Sequence, residues 1–462
     1  MKKKIIFQLL LLPFMFSGIA QEQMSFSLQE AIDYGLQHNF EILSTKIDIK
    51  IAQQKVVETR AIGLPHLNAS AAYDYFVNIP TQLMPDFIGP AMIEVNQKVF
   101  GLQPLVPVSG EPRMLEMKFG QTHNISAGIT ATQLLFNGSY LVGLQASKSY
   151  VNLSKVILDK KAQELKHSIA KAYYPVIIIQ ENLKLMDTTL LSLRQLADET
   201  SALFAEGFVE DTDVEQIKIM INDVENTKKH LEMTQNIAIK NLKFQMGLPL
   251  DIRITLSENI NNLLEIAVKM KLDDDLFSVG KHKDFQLLQA KKALSVLDLK
   301  NKRAALLPVL SAYYNYQKKA MRDDFNFFEE EGSWFPTQVA GIKLNIPIFQ
   351  SWQSRAIIQQ KKLELKKLKI QEQQLEAALN LQYQSTRSNL QYTLDAFYNK
   401  KLKMSYAQKV YDKTKTKYKT GLSSSLRLTQ AFNQYLQAEM EYLNAMTELL
   451  NSKEDMEMQL GN

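Results

Sequence analysis

The chain has no cysteine among its 462 residues. That excludes disulfides, a thiolate nucleophile, a zinc–thiolate centre and a lipid-anchoring cysteine behind a leader. Long apolar runs are also missing. Beyond the first twenty residues no window of eighteen is apolar and uncharged, so no transmembrane helix is expected, and contact with a membrane has to be made by strands. No charge of one sign dominates either. The formal net charge of +5 is spread over interspersed acids and bases, which argues against nucleic acid as a partner. The six histidines, at positions 38, 66, 123, 167, 230 and 282, show no metal-ligand spacing. No HExxH, GxSxG, Walker loop or dinucleotide fingerprint occurs, so neither an enzyme nor a cofactor is expected.

What is present begins with three lysines, Lys2 to Lys4, an apolar run from Ile5 to Phe16, and small residues at Gly18 and Ala20. This pattern predicts a secretory signal peptide over 1–20, with the mature chain starting near Gln21.

The chain also repeats itself. "RAIGLPHLNASAAY" from Arg60 matches "RAALLPVLSAYYNY" from Arg303 at Arg60/Arg303, Ala61/Ala304, Leu64/Leu307, Pro65/Pro308, Leu67/Leu310, Ala69/Ala312 and Tyr73/Tyr316, an offset of 243. "AGITATQLLF" (Ala127 to Phe136) meets "AGIKLNIPIF" (Ala340 to Phe349) at an offset of 213, so copy one carries 30 additional residues between positions 76 and 124. "FAEGFVEDTDVEQ" (Phe204 to Gln216) meets "YKTGLSSSLRLTQ" (Tyr418 to Gln430) at 214. An offset that drifts by one residue over some eighty positions requires a rigid spacer in both copies.

Helix supplies the spacer. Between Trp352 and Thr420 there is neither glycine nor proline, and at about 1.5 Å per residue the stretch makes a rod on the order of 100 Å long. Ile358, Leu365, Leu368, Leu375, Leu379, Tyr383, Leu390, Leu394 and Phe397 recur at about 3.5 residues per turn, the coiled-coil period. The matching rod of copy one holds Pro175, where a kink rather than a boundary is expected because the helical pattern resumes at once. Each rod is followed by a second stretch free of glycine and proline, 214–246 and 422–460, so each copy holds a helical hairpin turning at Gly207 or Gly421. In the first, Thr212 or Asp213 is the expected cap, with Glu215 or Gln216 three residues on.

Ahead of the rods the period changes to two over 65–76, 124–134, 308–316 and 338–348. Leu67, Ala69, Ala71, Tyr73 and Tyr75 alternate with Asn68, Ser70, Ala72 and Asp74, and Ala340, Ile342, Leu344, Ile346 and Ile348 with Gly341, Lys343 and Asn345. Strands of about ten residues with one apolar face and aromatic ends suit an outer-membrane barrel. Four strands cannot close one, and an open edge does not survive in lipid, so oligomerisation is expected.

Over essentially the whole mature chain these features resemble the TolC family of outer-membrane efflux channels. The likeness rests on the duplicated "RA..LP.L.A...Y", on the strand exits Leu134 to Gly138 and Pro347 to Ser351, and on turns built from Phe204, Gly207 and Asp213 and from Tyr418, Gly421 and Ala431. The resemblance implies a mainly α fold with transmembrane β. Each chain would give four strands to a homotrimeric twelve-stranded barrel continuous with an α-helical tunnel, located in the outer membrane and reaching into the periplasm. It implies repeats at 21–247 and 277–462 joined by an equatorial linker at 248–276, with extracellular loops at 77–123 and 318–337. The proline-rich first loop suits either a plug or a mobile surface loop. Implied partners are outer-membrane lipid, a periplasmic adaptor and an inner-membrane transporter, and no nucleic acid.

For sites, the resemblance places adaptor docking at Gly207, Phe208, Gly421 and Leu422. Each glycine is also read more simply as the left-handed end of a helix. The periplasmic entrance maps onto Asp213, Gln216, Arg427 and Gln430. Where the family often has acids after the second turn, this chain has Arg427 and Gln430, which implies weaker cation preference. Glu206, Glu210, Asp211, Asp213 and Glu215 supply charge at the first turn or simply favour the following helix dipole. The competing reading is a periplasmic adaptor or structural coiled-coil protein. Two hairpins, each preceded by amphipathic strand pairs, favour the channel.

Overall fold

The computed structural model describes residues 24–86, 88–101, 114–270, 277–329 and 333–461, so the expected leader and Pro104, Pro107 and Pro112 lie outside the described residues. In chain order the elements are β1 (Met24–Phe26), α1 (Leu28–His38), α2 (Phe40–Ala61), β2 (His66–Tyr75), β3 (Thr81–Pro85), α3 (Ile88–Phe100), β4 (Met114–Lys118), β5 (His123–Asn137), α4 (Gly138–Ala205), α5 (Asp211–Met246), β6 (Ile254–Leu256), α6 (Ile260–Val268), α7 (Lys283–Ala304), β7 (Val309–Arg322), β8 (Phe335–Asn345), α8 (Gln353–Lys419) and α9 (Ser425–Leu460). The duplication is structural as well as written. Both α2 and α7 have 22 residues, both α5 and α9 have 36, and α4 and α8 have 68 and 67.

Contacts divide the chain into two units. The larger comprises Met1–Gln53, Lys148–Ser295 and Leu363–Asn462, through their described parts. Its core is helical. The eight positions of the 3.5-residue seam on α8 from Leu365 to Phe397 are buried or half-buried, whereas the off-seam Leu363, Ile370 and Leu381 stay exposed. α4 runs without a break through Pro175, and Tyr173, Tyr174, Val176 and Ile177 around it are buried, so packing offsets the lost backbone hydrogen bond. β1 pairs in parallel with β6, and Tyr173 donates to the carbonyl of Phe26 at 3.0 Å, which ties the start of the described chain to the linker.

Deep in this unit Glu454 of α9 is only 4% exposed. Burial pushes its carboxyl up, but His167 (3.0 Å), Lys453 (3.0 Å) and Tyr174 (2.5 Å) together outweigh that and hold it below the usual carboxylate range. A buried charge survives only with such partners, and this cluster joins α4 to α9.

The smaller unit comprises Gln54–Ser147 and Val296–Lys362. Its sheet is antiparallel in the order β2-β5-β7-β8, so the second strand of copy one pairs with the first strand of copy two. The register aligns residues in rows across all four strands. Asn68, Thr130, Asn315 and Val339 form one row, and Ser70, Gly128, Gln317 and Thr337 another. On the opposite face lie Leu67, Ala131, Tyr314 and Ala340, then Ala69, Ile129, Tyr316 and Gln338. Alternation along each strand is therefore kept in phase between strands, giving one mainly polar face, which also holds Val339, and one mainly apolar face, which also holds Gln338 and Lys318.

One expected loop differs. β7 continues to Arg322 and β8 starts at Phe335, so the loop set at 318–337 is shorter, because residues 318–322 find backbone partners at 123–127 on β5. Among the described residues of 77–123, β3 and β4 pair in an antiparallel ladder and α3 lies between them in sequence, with Pro90 in the first helical turn where its missing N–H costs nothing.

Candidate functional site

The hairpin tips are built by backbone chemistry that the sequence specifies. At the end of α4, Gly207 (φ 76°) donates to the carbonyl of Phe204 and Phe208 donates to that of Leu203, both at 2.9 Å. At the end of α8, Gly421 (φ 72°) donates to Tyr418 at 3.0 Å and Leu422 to Lys417 at 2.8 Å. Both pairs are the Schellman closure, which needs a left-handed residue and so favours glycine. The helix-ending role of the two glycines is thus present.

The residue after the glycine is where the tips depart from an ordinary helix end. A Schellman turn commonly packs that apolar side chain back on the last helical turn. The same closure at the end of α5, with Gly247 (φ 76°) and Leu248 donating to Lys243 at 2.8 Å, leaves Leu248 only 5% exposed. At the tips, Phe208 and Leu422 are each 77% exposed. Beside them, a Cβ added to Gly207 or Gly421 would meet no atom within 4 Å. Each tip therefore offers a small, open surface on which one large apolar side chain stands most exposed.

The residues expected at the entrance fall into two groups. Asp213 is half-buried and accepts from the backbone N–H of Glu210 at 3.2 Å, so α5 starts at Asp211 behind Glu210 and not behind Thr212 or Asp213 as expected. The capping box is shifted because Asp213 serves as the residue three positions on rather than as the cap. Glu215 pairs with Lys218 at 2.9 Å. Half-buried Gln216 meets the Thr429 hydroxyl at 3.5 Å, which brings α5 and α9 together beside the exposed Gln430. Arg427 has an exposed side chain, and its backbone N–H donates to the capping Ser424 Oγ at 3.4 Å. The structure thus joins Gln216 to the second hairpin and leaves Arg427 and Gln430 facing solvent.

Contacts that no single sequence announces also hold the hairpins together. Lys419 reaches Glu199 at 2.6 Å, Lys415 meets Ser192, and Tyr411 stacks on Tyr435 at 5.7 Å. Among the described residues no group of acids and histidines is arranged to hold a metal, and no helix is long and apolar enough to cross a membrane.

A duplicated chain with two long hairpins and an open-edged sheet that is mainly polar on one face and mainly apolar on the other defines a helical-hairpin protein of membrane-barrel type. The model of a family described as outer membrane efflux protein matches residues 31–248 and 281–462, and the chain belongs to that family. No curated protein matches the sequence at a significant level. Among solved structures the chain resembles CusC, described for its folding and transmembrane channel formation, with 14% identity, 95% of this chain and 94% of that one covered, and a TM-score of 0.71. The outer membrane protein VceC of Vibrio cholerae gives 14%, 94%, 96% and 0.66, and the outer membrane channel CmeC of Campylobacter jejuni gives 16%, 94%, 85% and 0.68. At such identities the likeness speaks to the fold.

Proposed function

We propose that three copies of this chain form an outer-membrane channel, with four strands from each closing a twelve-stranded barrel and the helices of both repeats forming a periplasmic tunnel. In this reading repeats 21–247 and 277–462 are near-equivalent sixths of the tube, joined by the linker at 248–276. The tips at Phe208 and Leu422 dock a periplasmic adaptor, which links the channel to an inner-membrane transporter, and substrates pass outward without chemistry on the channel itself.

One observation carries the proposal. The sheet β2-β5-β7-β8 keeps a mainly polar and a mainly apolar face in register while β2 and β8 each leave an edge unpaired within the chain. An amphipathic sheet in lipid has to close, and four strands are too few to do so alone. Extraction from outer membranes in mild detergent should yield a native mass three times that of the mature chain. A monomer in the soluble periplasmic fraction would instead support the adaptor or coiled-coil reading.

At the entrance, Arg427 supplies a cation where an acid would favour cations. Arg427→Asp should raise cation selectivity, read as a shift of the reversal potential under a salt gradient in a planar bilayer. An unchanged reversal potential removes Arg427 from the conduction path.

A further inference from the structure

Glu439 lies on α9, about four turns from its start. It is 3% exposed, and the Tyr435 hydroxyl, which faces its carboxylate, does not reach full hydrogen-bond geometry with either oxygen. Burial pushes its carboxyl from 4.5 up to about 7, and the hydroxyl of Tyr435, one turn earlier, offsets only part of that.

The duplication shows what is missing. α5 and α9 align at an offset of 214, so Glu439 corresponds to Glu225, whose carboxylate is held by Arg194 of α4 at 2.7 Å. The position matching Arg194 on α8 is Gln408. Copy two therefore keeps the acid, buries it, and lacks the cation. Several charges on α8 and α5 are engaged elsewhere, and Lys409, next to Gln408, is exposed. On α8, Lys400 and Lys403 hold Glu441 at 2.6 and 2.8 Å, and Asp412 and Tyr411 act on Tyr435. On α5, Lys228 pairs with Asp187 of α4 at 2.6 Å and with Glu232. On α9 itself the flanking titratable groups are Tyr435, Glu441 and Tyr442.

We propose that Glu439 is a proton-operated latch: protonated, it lets α9 stay packed in the bundle, and ionised, it loosens α9, so that the helical wall opens more readily above neutral pH than in acid. The sign follows from linkage. A carboxyl that takes up its proton more readily when packed than when released gives packing that is strongest below the released value and weakens as pH rises through the packed one. The window runs from about 4.5 to about 7. Its gating consequence rests on the channel reading; the loosening of α9 does not.

The test is hydrogen exchange of the intact detergent-solubilised protein at pH 5, 6, 7 and 8, corrected for intrinsic exchange rates, on peptides spanning Glu439. Across the window one linked proton gives up to about a tenfold loss of protection per pH unit in the wild type. Glu439→Gln should hold the acid-level protection at every pH, and Glu439→Met should do the same if the amide alters packing. Bilayer recordings should show opening that rises from pH 5 to 8 in the wild type and stays flat in Glu439→Gln. Equal exchange of wild type and Glu439→Gln at all four values would overturn the latch, and shifted exchange with pH-independent conductance would overturn its role in gating. Absence of any pore would count against the channel, while the exchange data would still decide the latch.

Discussion

Replacing Ile129 with arginine should remove the protein from outer membranes, whereas the same replacement one residue on, at Thr130, should leave assembly intact and change what passes through. The two residues are neighbours on β5, a strand paired on both sides within the chain, so their faces are fixed by two registers at once. Ile129 stands in the row Ala69, Ile129, Tyr316, Gln338, and Thr130 in the row Asn68, Thr130, Asn315, Val339. If the apolar face meets lipid, an arginine near the middle of the bilayer costs about 2–4 kcal/mol in each copy, which is roughly 30- to 1000-fold in the balance between inserted and free chain. Facing an aqueous lumen, the arginine at 130 keeps its water and adds only charge. The check is the membrane-extracted trimer by native mass and, for Thr130→Arg, conductance. Equal loss of trimer in both variants would mean that the two faces do not separate lipid from water.

Much of this architecture was legible because it is written locally. The 3.5-residue recurrence from Ile358 to Phe397 marked the buried seam of α8, and the alternation from Leu67 to Tyr75 marked the two faces of β2. The strand limits were less legible where the deciding partner lies in the other repeat. Lys318 and Lys319 look like the start of a loop, yet β5 offers them backbone partners, and hydrogen bonding of the main chain outweighs two exposed cations. The shifted cap of α5 has a similar cause. Asp213 suits the cap position by propensity, but Glu210 takes it because the Asp213 carboxylate then reaches back to the backbone N–H.

Long-range pairs were out of reach altogether. His167 and Glu454 are separated by 287 positions, and nothing in either neighbourhood names the other. The same holds for Glu439, whose exposure is set by helices on both sides. What the repeat did offer was a comparison. Glu225 with Arg194 and Glu439 with Gln408 occupy matched positions, so the loss of a cation was visible in the letters, while the burial that gives it consequence was not.

At the tips, Gly421→Trp should abolish transport while leaving the native mass and the conductance of the isolated channel unchanged. A side chain on Gly421 meets nothing within 4 Å in the chain, so the intramolecular cost is the left-handed backbone alone, about 1–2 kcal/mol. The helices it joins, 67 and 36 residues long, are packed along their length and can absorb that. What changes is the surface offered to a partner, since the indole would stand beside the exposed Leu422. Gly421→Asn separates the two effects: asparagine tolerates the left-handed region and adds little bulk, so it should transport nearly as the wild type does. Gly247→Trp is the opposite control. It shares the same backbone conformation, but a Cβ there would lie 2.5 Å from the carbonyl oxygen of His38, so this variant should fail to fold and leave no trimer to measure. Loss of export in Gly421→Trp with an intact trimer, set against normal export in Gly421→Asn, therefore assigns the tip to docking. Normal export in both would leave Gly421 as a helix end and nothing more, and the exposed Phe208 and Leu422 would need another partner to explain them.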